Sequence, residues 1–128
     1  MKRIIYLFAV LVMFVSCQSQ KKEGVELVNP TVFSENITKN EGQVIDVRTS
    51  KEYNSGHIQD AVNIHLYDKD FKNRVAKLDK DKPVYVYCKL GGRSADAVVI
   101  MKEKGFTNII ELDGGIDAWV DTGNPIVK

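Results

Sequence analysis

Cysteine is scarce in this chain: two occur in 128 residues, Cys17 and Cys88. Two thiols could pair once at most, so no disulfide framework carries the fold and a hydrophobic core must do so. Histidine is as scarce, with His57 and His65 alone. Neither sits in a Cys/His spacing that holds zinc, so no metal site and no cofactor is expected. An excess of one charge is also missing, the formal net charge being +1. That excludes the basic footprint of a nucleic-acid binder. Apolar runs are short. The longest, Ile4 to Val15, has 12 residues, against about 20 for a bilayer span. No repeat and no low-complexity stretch is present. What remains is a 44% hydrophobic chain long enough for one globular domain.

The first residues read as an address. Met1-Lys2-Arg3 is a basic start, and the 12-residue apolar run fits the core of a secretory signal. A buried helix or an uncleaved anchor is the alternative reading of the same run. The run ends in Phe14-Val15-Ser16-Cys17. A small residue directly before a cysteine resembles the bacterial lipobox, although Phe14 stands where that motif usually has Leu. The resemblance implies that residues 1–16 are a signal peptide and that Cys17 is lipidated. Residues 17–24 then form a polar tether, and the folded domain spans 25–128. Two or more acyl chains suffice for stable anchoring. The expectation is an exported protein on a bacterial membrane, facing the periplasm or the cell surface. With Cys17 so used, Cys88 is the one thiol of the mature domain.

The domain alternates strand and helix patterns. Strands are predicted at Val25–Val28, Gln43–Val47, Ala61–Ile64, Val84–Tyr87 and Asn108–Leu112. Helices are predicted from Asn29-Pro30 to near Asn40, over Asp68–Leu78 and over Ser94–Lys104. A single turn is expected at Lys51–Asn54, and a short helix follows Asp113-Gly114-Gly115 through Trp119. In the 94–104 helix Ser94 is placed as the cap, Asp96 in the first turn and Gly105 just past the end. The class is α/β, with a mostly parallel sheet of about five strands and helices on both faces.

The most specific stretch is Val84-Tyr85-Val86-Tyr87-Cys88-Lys89-Leu90-Gly91-Gly92-Arg93-Ser94. A cysteine ends a central strand and a glycine loop leads into a helix. Ligands of open α/β sheets bind at the carboxyl ends of strands. Gly91 and Gly92 let the backbone aim its N–H groups inward. Consecutive N–H groups and a helix N-terminus make an anion cradle, and a cradled cysteine becomes a thiolate more readily. Lys89 and Arg93 add positive charge. A cysteine at a strand end can also be an inert packing residue. The Cys-x-x-Gly-x-Arg-Ser spacing in this context favours a nucleophile.

This loop resembles the active-site loop of rhodanese domains, and the resemblance covers roughly residues 25–125. Asp46-Val47-Arg48 with Glu52-Tyr53, Gly56-His57-Ile58 with Ala61 and Asn63-Ile64, and Leu112-Asp113-Gly114-Gly115-Ile116 with Ala118-Trp119 resemble three further signatures of that family. Four motifs in order are specific where each alone is weak. The resemblance implies a rhodanese-like three-layer fold and sulfurtransferase activity. Cys88 matches the residue that carries sulfur as a persulfide. Lys89, Leu90, Gly91, Gly92, Arg93 and Ser94 match the loop that holds the sulfur and its donor. Asp46 matches a position that helps hold the loop by hydrogen bonds. Arg48 is expected to pair with a carboxylate such as Glu52, in a structural role. His57 belongs to a structural signature rather than to a base, His65 is expected at the surface or an edge, and Trp119 is expected as a packing anchor. The implied partners are a thiosulfate-like anion and a thiol or cyanide acceptor, with a protein persulfide as a further possible donor. Two alternatives stand beside this reading. One is a relay module that takes sulfane sulfur only from a partner protein. The other is a phosphatase or arsenate reductase, whose Cys–Arg loop is one residue longer and, in the phosphatases, follows a His rather than Tyr87.

Overall fold

The structure is a computed structural model and describes residues 23–128. The expected signal peptide, Cys17 and all but the end of the tether lie outside the described residues. Gly24, placed at the end of that tether, already docks on the sheet: its carbonyl accepts from Ile109 N–H at 2.9 Å.

Ten elements alternate as the hydrophobic pattern requires. They are β1 (Val25–Val28), α1 (Pro30–Lys39), β2 (Gln43–Asp46), α2 (Ser50–Ser55), β3 (Val62–Asn63), α3 (Phe71–Ala76), β4 (Val84–Tyr87), α4 (Gly92–Glu103), β5 (Ile109–Leu112) and α5 (Gly115–Asp121). The five strands form one sheet in the order β1-β5-β4-β2-β3. Every pairing is parallel. β4 therefore sits at the centre, and all four of its side chains are buried.

Alternation along β4 divides the core. Val84, Val86 and Cys88 face one cluster with Phe71 and Val75 of α3 and Ala97, Val98 and Met101 of α4. Tyr85 and Tyr87 face the other, with Phe33 of α1 and Ile116 and Trp119 of α5. Trp119 is the packing anchor its position suggested. Its ring lies edge-on to Phe33 at 6.1 Å, and its Nε1–H donates to Pro125 O at 2.8 Å. Parallel strands buried on both faces explain why β4 reads as a continuous apolar run.

Three local expectations are corrected. The first concerns the start of α4. It begins at Gly92 with Gly91 as its cap, so Ser94 lies inside the first turn and Asp96 beyond it. The cause is Gly91, whose φ of 126° turns the loop directly into the helix before Ser94 is reached. The second concerns α2, which is a full six residues rather than one turn. Thr49 and Glu52 form a reciprocal capping box at its start. The third is α3, which spans Phe71–Ala76 and not Asp68–Leu78, because Asp68 to Asp70 turn into it first.

Candidate active site

Cys88 follows the last residue of β4, at the carboxyl edge of the sheet. The residue is 1% exposed. The loop after it is shaped by where its carbonyls go. Cys88 O accepts from Ile116 N–H at 2.8 Å, and Lys89 O from Asp117 N–H at 3.2 Å. Gly91 O accepts from Ala95 N–H at 3.1 Å. With those carbonyls tied to α4 and α5, the loop amides are free to turn inward, and Gly91 N–H donates to Cys88 Sγ at 3.0 Å. α5 can come this close because residue 115 has no side chain. A Cβ on Gly115 would lie 2.3 Å from Lys89 O, and its φ of 62° suits glycine. The Asp113-Gly114-Gly115 signature is thus the clamp on the loop's outer side.

The two loop cations are not bare. Lys89 Nζ meets Asp117 Oδ2 at 2.6 Å. Arg93 makes a bidentate pair with Glu52, at 2.7 and 2.9 Å. The guanidinium holds the Glu52 carboxyl well below the usual range, at about 2, with help from Thr49. Glu52 in turn raises Arg93. Leu90, at the loop's tip, is 68% exposed.

Asp46 and Arg48 lie on the opposite face of the sheet, beside Tyr87. Residues two apart on an extended strand share a face. Arg48 accordingly pairs with Asp46 through Nε at 3.0 Å and Nη2 at 2.7 Å, not with Glu52 as the sequence suggested. Burial works against the Arg48 charge, but the Asp46 carboxylate outweighs it and the net shift is upward. Arg48 Nη2 also donates to Gly56 O at 2.7 Å, and the Asn63 amide donates to the main-chain carbonyls of Asp46 and Arg48. Asp46 therefore acts at one remove from the loop. The Arg48 guanidinium lies 5.7 Å from the centre of the Tyr87 ring, directly before Cys88 in the chain. Burial first, then Asp46, hold the Tyr87 phenol protonated far above its ordinary range. Its oxygen accepts from Ile58 N–H at 3.1 Å.

His57 is fixed in place: it stacks on Tyr53 at 3.8 Å and bonds the Tyr53 carbonyl through Nδ1 at 2.9 Å. His65 contacts Asp68 at 3.2 Å and lies edge-on to Tyr67.

A cysteine aimed into a glycine loop between a central parallel strand and a helix has a family counterpart. Residues 29–122 match the family model described as the Rhodanese-like domain. The chain belongs to the rhodanese-like family. It is 34% identical over 84 residues to a sulfurtransferase of Allochromatium vinosum, covering 66% of this chain and 77% of that one. It is 34% identical over 77 residues to the thiosulfate sulfurtransferase GlpE of Shewanella oneidensis, covering 60% and 74%. Among solved structures, a rhodanese-related protein from Thermoplasma volcanium superposes with a TM-score of 0.71 at 32% identity, over 80% of this chain and 97% of that one. The α/β rhodanese-like fold and the resemblance to sulfurtransferases are thereby established.

Some residues of this rhodanese-like site escaped the sequence reading. Glu52 was named in a family signature and as a partner for Arg48 but not for Arg93, although Thr49-x-x-Glu52 has capping-box spacing and marks a helix start beside the loop. Asp117 has no local signal, being 28 positions from Lys89. Glu111 does have one. It is an acid in an otherwise apolar, fully buried strand, Ile109–Leu112. Ser94 was read both as a cap and as part of the sulfur-holding loop, but its tie to Glu111 was not: it is fully buried beside Sγ, at 3.5 Å, with its hydroxyl 2.9 Å from Glu111 Oε1.

Proposed function

We propose that this protein is a sulfurtransferase that moves sulfane sulfur from a donor such as thiosulfate to a thiophilic acceptor through a persulfide on Cys88. The observation that carries the reading is Gly91 N–H at 3.0 Å from Sγ, in a loop whose carbonyls are tied elsewhere. A fixed donor aimed at sulfur stabilises the negative charge that a thiolate and a persulfide both bear. In the first half-reaction the Cys88 thiolate attacks the outer sulfur of thiosulfate. The donor's S–S bond breaks, sulfite leaves with the electron pair, and a new S–S bond forms on Cys88. In the second, the carbon of cyanide or the sulfur of a thiol attacks the outer sulfur, and the Cys88 thiolate is regenerated. A covalent intermediate between two substrates predicts ping-pong kinetics.

The pairing of both loop cations supports a second reading of the donor. Lys89 and Arg93 spend their charge on Asp117 and Glu52, which weakens their pull on a small dianion. A persulfide delivered by a partner protein needs no such pull.

The site is proposed to work outside the cytoplasm, on a bacterial membrane. The basic start, the 12-residue apolar run and Ser16-Cys17 support cleavage after residue 16 and lipidation of Cys17. Labelling cells with an alkyne fatty acid tests this: the label is expected on the wild-type chain and absent from Cys17→Ala.

Sulfur transfer is tested by incubating the purified chain with thiosulfate and cyanide. Thiocyanate is expected to form, and Cys88→Ala is expected to abolish it. Mass spectrometry separates the donors. A gain of one sulfur on Cys88 from thiosulfate alone supports the small-anion donor, and a gain only with a protein persulfide supports the relay. Thiocyanate formation that persists in Cys88→Ala overturns the proposal.

A further inference from the structure

Four polar or charged side chains are buried among the described residues: Asp46, Arg48, Ser94 and Glu111. Asp46 and Arg48 bond each other on the Tyr87 face. Ser94 and Glu111 lie on the other face, with Cys88. Their atoms form a short chain: Cys88 Sγ to Ser94 Oγ at 3.5 Å, then Ser94 Oγ to Glu111 Oε1 at 2.9 Å. Gly91 O, at 3.0 Å, is a second acceptor for the same hydroxyl. Ser94 has a single proton to give.

The direction of that proton decides what the sulfur meets. While Glu111 is ionised it can only accept, so the Ser94 proton points to it or to Gly91 O. The sulfur then faces an oxygen lone pair, which suits an S–H donor and not an anion. Once Glu111 carries a proton it can donate to Ser94 Oγ. The hydroxyl is then free to turn its own proton to sulfur, which suits a thiolate or a persulfide anion. We propose that Glu111, acting through Ser94, is a positioning residue that couples a proton on its carboxyl to the charge on the Cys88 sulfur. The exchange balances without any oxidant. The S–H bond and the Ser94 O–H bond break, a new Ser94 O–H and a Glu111 O–H form, and one proton passes from sulfur to carboxyl.

Glu111 lines a groove of about 380 Å³ with Val25 and Leu27 of β1 and Ala95, Val98 and Val99 of α4. That groove is built by β1 and α4 and not by the loop that receives sulfur. Lys102 and Glu103 of α4 line it too and bring charge of both signs to that groove. On the Cys88 side, Lys89 and Arg93 are the nearest cations of the loop, each tied to its own carboxylate.

The inference deepens the sulfur-transfer reading and rests on it for its purpose, but its test is thiol chemistry and needs no sulfur donor. Iodoacetamide alkylation of Cys88 is followed by peptide mass spectrometry in the full-length chain from about pH 5 to pH 10. Glu111→Gln keeps the shape and cannot ionise. Its alkylation is expected to be faster than wild type near neutral pH, by about tenfold, and to merge with wild type at the alkaline end. In a Ser94→Ala background the same substitution is expected to change the rate by no more than about twofold. Profiles of wild type and Glu111→Gln that superimpose, or an equal effect with and without Ser94, overturn the proposal. Should Glu111→Gln fail to fold, the wild-type chain answers by infrared titration. The S–H stretch is expected to shift as the buried carboxyl band disappears, and an S–H band that stays put through that titration overturns the coupling. Loss of thiocyanate formation with these profiles intact would count against sulfur transfer and leave the coupling standing.

Discussion

Tyr87 and Cys88 are neighbours in the chain, yet the two faces of the sheet treat them differently. Below Tyr87 the polar groups are a full ion pair: Asp46 and Arg48 share three contacts of 3.0 Å or less, Gly56 O accepts from the guanidinium, and the Asn63 amide donates to both main-chain carbonyls. Below Cys88 the polar groups are a thiol, a hydroxyl and one carboxyl, in a row whose protons can be arranged in more than one way. The first face has a single satisfied arrangement and so fixes the strand end. The second has two and so can follow a change of charge on sulfur. One strand supplies both because adjacent side chains point to opposite faces.

The comparison is broken most severely at Asp46. Asp46→Ala leaves the Arg48 guanidinium buried without its carboxylate and is expected to cost about 3–5 kcal/mol, read from urea unfolding. Restoring neutrality with Asp46→Leu and Arg48→Met together is expected to recover most of that loss. No recovery in the double variant would show that the pair does more than answer its own charges.

Gly115→Ala attacks the other face through the clamp on the loop. The added methyl meets Lys89 O and Cys88 O, so the loop must shift. Because a displacement of about 1 Å can cost about a hundredfold in rate, thiocyanate formation is expected to fall by about that factor. Unfolding free energy is expected to fall by about 1–3 kcal/mol. A large loss of activity beside a modest loss of stability would place the effect in the loop.

Glu52 gives a pH signature. Its carboxyl sits at about 2 in the folded chain against 4.5 for the free group, so folding favours the ionised form. The stability it contributes is complete above about pH 4.5 and is lost as pH falls through about 2. After screening at a site 29% exposed, the contribution is on the order of 1 kcal/mol. Thermal unfolding of wild type and Glu52→Gln between pH 2 and pH 5 is expected to converge at the acid end. Parallel curves would mean that Arg93 does not hold Glu52 in solution.

Asp117→Asn is the gentlest change. Both partners of its pair are exposed. Freeing Lys89 is expected to lower the KM for thiosulfate about twofold at low salt and to have no effect at high salt. A salt-independent change would point to the loop's shape rather than its charge.

Much of this contrast was legible in the sequence, and what was not has identifiable causes. The apolar run ending at Tyr87, the double glycine and the helix behind it mark the loop, because periodicity and glycine placement are local. The Asp46–Arg48 pair was within reach of the two-residue alternation of a strand, but Glu52 offered a competing carboxylate at helical distance. The start of α4 was misplaced because serine is a common cap, while a glycine at φ 126° does the same work three residues earlier. The link from Ser94 to Glu111 joins residues 17 apart across a crossover, and only the packed sheet brings them together.

The all-parallel sheet has one more consequence, for the way the domain presents itself. β1 begins at Val25 beside Asn108 and Ile109, at the end of the sheet where every strand starts. Cys88 sits where they finish. Anything holding the chain ahead of Glu23 therefore grips the domain at its foot and leaves the Cys88 loop at its crown, turned toward whatever approaches from the open side.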